Sequence, residues 1–295
     1  MSILPDDDLR ECLRRSYTHG TTETYLRDIT AFCSVVANSA TASNNDVLAY
    51  LGSLRRRYGA STIQKVLSAL CAFYDVLHER GIRPDNPTRS VQLRGRPRKD
   101  MQLQDLLSVD DLDLLVKTTD EAPTPLEYRH CVLMGLLVHQ ALTPAELENL
   151  RTTDVDLHSG MITIKASATL NGRELPLKPT QILLLHRYLE TERLAIMESP
   201  SADNDHLLIT SSGRPLTQND IGKHLHKHYI NVFGKRNINP QLIRQSVIAN
   251  LLRQGHDVRV VKVFAGHKYP SSTERYQQSQ VDIHKEAVQD HHPLR

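Results

Sequence analysis

Three side chains in the C-terminal third of this chain could together hold and attack a phosphodiester: Arg244, His267 and Tyr276. His267 follows Gly266 and stands nine residues before Tyr276, with Ser272 and Thr273 in between. Arg244 lies upstream on the apolar run Leu242 to Leu252, which reads as a helix with the arginine on its first turn. A guanidinium offers fixed charge and forked donors to a phosphate, an imidazole can move a proton, and an activated phenol oxygen can serve as nucleophile. Read one at a time, each has a plainer account. Tyr276 fits a half-buried tyrosine, Arg244 fits a surface ion pair, and His267 fits a packed histidine after a glycine turn.

The elements that must position these groups can be read along the chain. Residues 1–92 predict a small all-helical unit. A helix opening at Thr21-Thr22-Glu23-Thr24 carries Tyr25, Ile29 and Phe32 on one face. A second, capped at Ser43-Asn44-Asn45-Asp46, runs through Val47, Leu51 and Leu54. Gly59 stops it, with Arg55, Arg56 and Arg57 near its end. A third starts at Ser61-Thr62, carries Lys65 among its polar positions and ends at Gly81, and Asn86-Pro87 closes the unit. Residues 93–106 read as an interdomain linker. Arg94, Arg96, Arg98 and Lys99 are interleaved there with Gly and Pro, a composition that suits a cationic strap against phosphates.

Residues 107–295 predict a second, mixed α/β unit. Helices are expected behind Asp110-Asp111, from Leu126 through Leu137, and from Pro144 with Thr143 as cap. A β-hairpin follows, Met161–Ile164 returning at Glu174–Leu177, with Asn171-Gly172 as its turn. Lys165 and Arg173 flank the tip. Helical patterns resume at Thr180.

Composition narrows the options without deciding them. A net charge of +2 neither demands nor excludes nucleic acid. No stretch is apolar enough for a transmembrane span, so no membrane partner is expected. Cys12, Cys33, Cys71 and Cys131 lack metal-binding or redox spacing and read as reduced thiols. His224 and His228 stand four apart on a helix, but no further ligand follows at a zinc-like spacing. No metal site is expected, and that helix reads as solvated or DNA-facing.

Taken in order, Ala141-Leu142-Thr143-Pro144-Ala145-Glu146-Leu147, the hairpin, the Arg244 helix and the stretch from Gly266-His267 to Tyr276 resemble the tyrosine recombinases, or phage integrase family, of Xer-like type. The resemblance implies a mainly α protein: a SAM-like helical core-binding domain followed by a mixed α/β catalytic-type domain with a small β-hairpin. It also implies a tyrosine that forms a 3′-phosphotyrosyl link to DNA, two arginines clamping the phosphate, a hairpin lysine as general acid and assisting histidines. The covalent link conserves the phosphodiester energy, so no cofactor is implied. Tyr276, Arg244 and His267 match the nucleophile, the second arginine and the last histidine. The first arginine is replaced by Thr143, both histidines flanking the Arg244 motif have become Gln241 and Gln245, and Asn171 stands nearest the hairpin lysine. The site is therefore expected to be degenerate. The implied role is binding double-stranded DNA in recombination, integration or transposition, as a homo-multimer or beside an intact recombinase, in a cytoplasmic, nucleoid-associated protein with Arg55, Arg56, Arg57, Lys65, Arg94, Arg96, Arg98, Lys99, Lys165 and Arg173 as candidate DNA contacts. The rival readings are an active recombinase using Tyr276 and a stand-alone DNA-binding regulator.

Overall fold

Four helices of the first unit bury the apolar stripes that the sequence dictates. They are α1 (Asp6–Ser16), α2 (His19–Val35), α3 (Asn44–Leu54) and α4 (Ala60–Glu79). The computed structural model describes residues 6–93, 105–117, 124–197, 204–230, 233 and 236–276. The chain divides into two compact units, Met1–Asp100 and Met101–Arg295.

In the first unit, Phe32 of α2, Tyr50 of α3 and Tyr74 of α4 meet edge-on, with Phe32–Tyr50 centroids 5.0 Å apart and Phe32–Tyr74 centroids 6.3 Å apart. The buried Tyr74 hydroxyl donates to the Ser39 carbonyl at 2.7 Å. Ser43 caps α3 in a reciprocal box with Asp46, as its position before the apolar run predicts. Asn86 closes the unit by donating to Asp75 Oδ1 at 2.8 Å and to the Cys71 carbonyl at 3.1 Å. Three details differ from the sequence reading. α1 was not expected, since only Leu9 and Leu13 in an otherwise charged window anchor it. α2 starts at His19, before the Thr21 cluster. α3 stops at Leu54, so Arg55, Arg56 and Arg57 follow the helix rather than complete it.

The second unit carries α5 (Val109–Val116), α6 (Pro125–His139), α7 (Pro144–Asn149), α8 (Pro179–Arg187), α9 (Arg193–Ile196), α10 (Gln218–Tyr229), α11 (Pro240–Arg253) and α12 (Val258–Ala265). Strands β1 (Val155–Asp156), β2 (Met161–Ile164) and β3 (Arg173–Pro176) form one antiparallel sheet in that order. The protein is thus mainly helical with a small three-stranded sheet. Its main core gathers α6, the inward face of the sheet, α10 and the first half of α11 around Leu133, Leu136, Ile162, Leu225 and Ile243. A smaller cluster holds Leu106, Ile248, Ala249, Leu252, Val261, Ala265 and Tyr276.

The hairpin differs from expectation. Ile164 pairs with Arg173, which leaves residues 165–172 as the connection. Asn171-Gly172 is not its turn: a tight hairpin of that sequence needs positive φ at both residues, and neither has it.

Candidate functional site

Arg244 is drawn inward rather than out. α11 begins at Pro240 under an Asn239 cap, so Arg244 stands one turn inside the helix instead of on its first turn. Its flanks Ile243 and Ser246 are fully buried, and Arg244 itself is only 5% exposed. The guanidinium donates through Nη1 to the Ala141 carbonyl and through Nη2 to the Ala265 carbonyl, the latter at 2.5 Å. One cation therefore ties α11 to the segment before α7 and to the end of α12. The Ala141 carbonyl is presented by a left-handed residue, φ 50°, which L-alanine adopts at a cost. Ala141→Gly is expected to relieve that strain and, after the added freedom of the unfolded chain, to stabilise the protein by about 0.5–1 kcal/mol. A higher urea midpoint at unchanged slope would register it; a lower midpoint would show that the residue is unstrained.

His267 follows Gly266, whose φ of 68° is the left-handed cap of α12. The buried imidazole shares a 2.8 Å hydrogen bond between Nδ1 and the Thr273 hydroxyl. Burial, then the charges of Arg244, Arg275 and Arg173, lowers its pKa to about 4. It is a neutral imidazole at pH 7. Tyr276 is 1% exposed and packs with Ile248, Ala249 and Ala265. The Arg275 guanidinium lies 5.2 Å from its ring centroid and reaches its hydroxyl at 3.5 Å. The Arg244 charge acts on both the imidazole and the phenol, so the three groups singled out by spacing share one neighbourhood.

The positions read as degenerate differ in their surroundings. Thr143 caps α7, its hydroxyl and N–H both donating to Glu146 Oε2, at 3.0 and 2.8 Å. Glu146 also takes the Arg173 fork, Nη1 donating to Oε1 at 2.6 Å and Nη2 to Oε2 at 3.4 Å. Burial pushes the Glu146 carboxyl up, but the Arg173 hydrogen bonds and charge, the Thr143 cap and the Arg244 charge outweigh it and hold it below its ordinary value. Gln241 is exposed and Gln245 half-buried on α11. Asn171 donates its N–H to the Gly266 carbonyl at 2.8 Å. Lys268 Nζ donates to the Ala168 carbonyl at 2.9 Å, and Leu170 bridges to His267. The hairpin tip is thereby latched to the turn that carries the histidine.

The remaining basic candidates lie elsewhere. In the first unit, Arg55, Arg56, Arg57 and Lys65 are exposed, with Arg57 5.7 Å from the Tyr58 ring centroid. Arg94, Arg96, Arg98 and Lys99 lie outside the described residues. In the second unit, Lys165 is ion-paired with Asp154 at 3.0 Å. Arg173, expected near the hairpin surface, is instead buried on the same face of β3 as Leu175. That alternation was legible: an arginine in phase with Leu175 and Leu177 faces the core and needs a carboxylate, and Glu146 supplies it. Glu146 and the carbonyls of Ala141 and Ala265 have no sequence signal that spacing alone could raise to functional notice.

His224 is not on a solvated face. The Tyr229 hydroxyl donates to the Leu115 carbonyl at 3.1 Å, so it accepts from His130 Nε2 at 3.0 Å. His130 Nδ1 then accepts from His224 Nε2 at 2.8 Å. Among the described residues, no cluster of His, Cys, Asp and Glu could hold a metal ion. Burial chiefly lowers His130 to about 3 and His139, His224 and His267 to about 4. The unfolded chain binds protons at these histidines first, near their ordinary value of about 6.5, so stability is expected to fall as pH drops from there to about 4. Urea midpoints that stay flat between pH 7 and pH 4 would contradict this.

With the geometry in hand, three comparisons bear on identity. Residues 10–81 match the phage integrase N-terminal SAM-like domain. The chain is 28% identical over 271 residues to the tyrosine recombinase XerC of Roseiflexus sp. (strain RS-1), covering 89% of this chain and 84% of that protein. Among solved structures, XerH bound to a palindromic difH substrate in a post-cleavage complex superposes with a TM-score of 0.71 at 18% identity, covering 96% of this chain and 84% of that one. The Tn1549 transposon integrase in complex with a circular intermediate DNA gives 0.67 at 14% identity, covering 96% and 99%. Among the described residues, no helix is long and apolar enough to cross a membrane. Residues 105–282, which hold every group of the site just described, match the phage integrase family, and the chain belongs to that family, with the tyrosine recombinase fold.

Proposed function

We propose that this protein binds duplex DNA in site-specific recombination or transposition as an architectural or regulatory subunit whose own strand cleavage is very weak or absent. One observation carries the reading. Arg244 is turned onto two backbone carbonyls, the Arg173 fork onto Glu146 and Arg275 against the Tyr276 ring, while Thr143 brings no charge of its own. Transition-state stabilisation depends on donors preorganised toward developing charge, and losing one such donor typically costs about two to three orders of magnitude. The burial of Tyr276 points the same way. XerC relatives and DNA-bound structural neighbours supply the context of recombination and of DNA as the partner.

A second reading has its own support. Arg244, His267 and Tyr276 share one neighbourhood, as a phenol nucleophile would require, so an active enzyme borrowing a cation from another subunit is the alternative. Trapping on a pool of nicked duplexes with randomised core sequence separates the two. Binding without covalent adduct is expected for the isolated protein. Adduct that vanishes in Tyr276→Phe would establish the enzyme instead.

A further inference from the structure

Arg173 holds more donors than its ion pair uses. Glu146 engages the Nη1–Nη2 fork, whereas Arg173 Nε is buried with no hydrogen-bond partner. The Arg173 side chain is 3% exposed, so this is a nine-tenths buried donor left without a partner, a state it shares with Arg129 Nε. Its location is specific. A Cβ on Gly266 would stand 2.6 Å from Arg173 Nη1 and 3.1 Å from Cζ, so the guanidinium lies on the bare face of the residue before His267. It is also one hydrogen-bonded step from Thr143, because Thr143 and Arg173 share the Glu146 carboxylate. A guanidinium can serve two anions at once, one across its fork and one along its Nε edge.

We propose that Arg173 is a phosphate-binding cation of this site, with Glu146 holding its fork and its Nε edge serving as donor to a backbone phosphate of duplex DNA. The charge missing at Thr143 is supplied from β3, through a glycine that leaves room for it. The edge is buried in the DNA-free chain, so the groups packed over it must shift before a phosphate reaches it. The inference rests on the duplex-binding reading above, and the same experiment tells the two apart.

Duplex affinity is measured across a salt series for the wild type, Arg173→Met, and Thr143→Arg combined with Arg173→Met. Loss of one phosphate contact is expected to lower the slope of log affinity against log salt by about one in Arg173→Met, and the double variant should regain it. In the intact wild type, the Arg173 Nε–H resonance should move and exchange more slowly with solvent when linear duplex DNA is added; this readout holds even if Arg173→Met does not fold. A folded Arg173→Met with the wild-type slope, or an Nε–H resonance unmoved by a duplex that binds, would overturn the assignment while leaving duplex binding intact. A wild type that shows no salt-dependent affinity for duplex would overturn the DNA-binding reading itself.

Discussion

Glu146→Ala is expected to cost about 3–5 kcal/mol of folding stability, because it strands the Arg173 charge in the core. The guanidinium is 3% exposed and the carboxylate 5%, so neither end can turn to water for compensation. The same change removes the acceptor of the Thr143 cap, worth about 1 kcal/mol more. Glu146→Gln divides these contributions, since an amide oxygen can keep the cap but brings no charge; it should recover only the cap's share. Replacing both ends, Glu146→Leu with Arg173→Met, should restore most of the loss, because an orphaned charge costs far more than the absence of a pair. Urea denaturation of the four proteins gives the comparison. A Glu146→Ala midpoint within ~1 kcal/mol of the wild type would be incompatible with a buried pair.

Thr143→Arg carries the largest expected gain in chemistry. It returns a guanidinium to the start of α7, two residues from the Ala141 carbonyl that anchors Arg244. If charge stabilisation limits cleavage, trapped protein–DNA adduct should rise by about 10²–10³-fold over the wild type and disappear on adding Tyr276→Phe. Loss of the threonine cap sets a cost of about 1 kcal/mol against it, too little to mask the effect. Adding Asn171→Lys in the same background supplies an ammonium at the hairpin tip and should bring roughly another hundredfold through proton transfer to the leaving oxygen. Adduct no greater than wild type in both variants would show that the residues at 143 and 171 do not limit attack by Tyr276.

How much of this was legible in the sequence differs by element. Capped helices read well: Ser43 and Thr143 stand where a hydroxyl precedes an apolar run and an acid follows three residues on, a pattern with one local solution. α1 did not, because its two buried leucines sit among charges and its stability comes from packing against α2 and α4 rather than from its own sequence. The three-residue constellation was legible because spacing between Gly266-His267 and Tyr276 is local. The alternation of Arg173 with Leu175 marks it as inward-facing, but its partner Glu146 lies twenty-seven residues upstream on α7, and spacing does not link the two. Arg244 reads as a first-turn residue because the apolar run begins at Leu242, whereas the Asn239 cap and Pro240 open α11 earlier and leave the arginine inside the helix.

The latch at the hairpin tip has a mechanical consequence. The Asn171 amide and the Gly266 carbonyl join segments of chain almost a hundred residues apart, and Lys268 adds a second tie at Ala168. A pull on the loop between β2 and β3 is therefore delivered to the loop that bears the imidazole, without passing through the hydrophobic interior. Any partner that grips the exposed loop gains a lever on the nucleophile's surroundings, and the rate at which the Asn171 amide trades its hydrogen for deuterium would clock how often that lever is thrown.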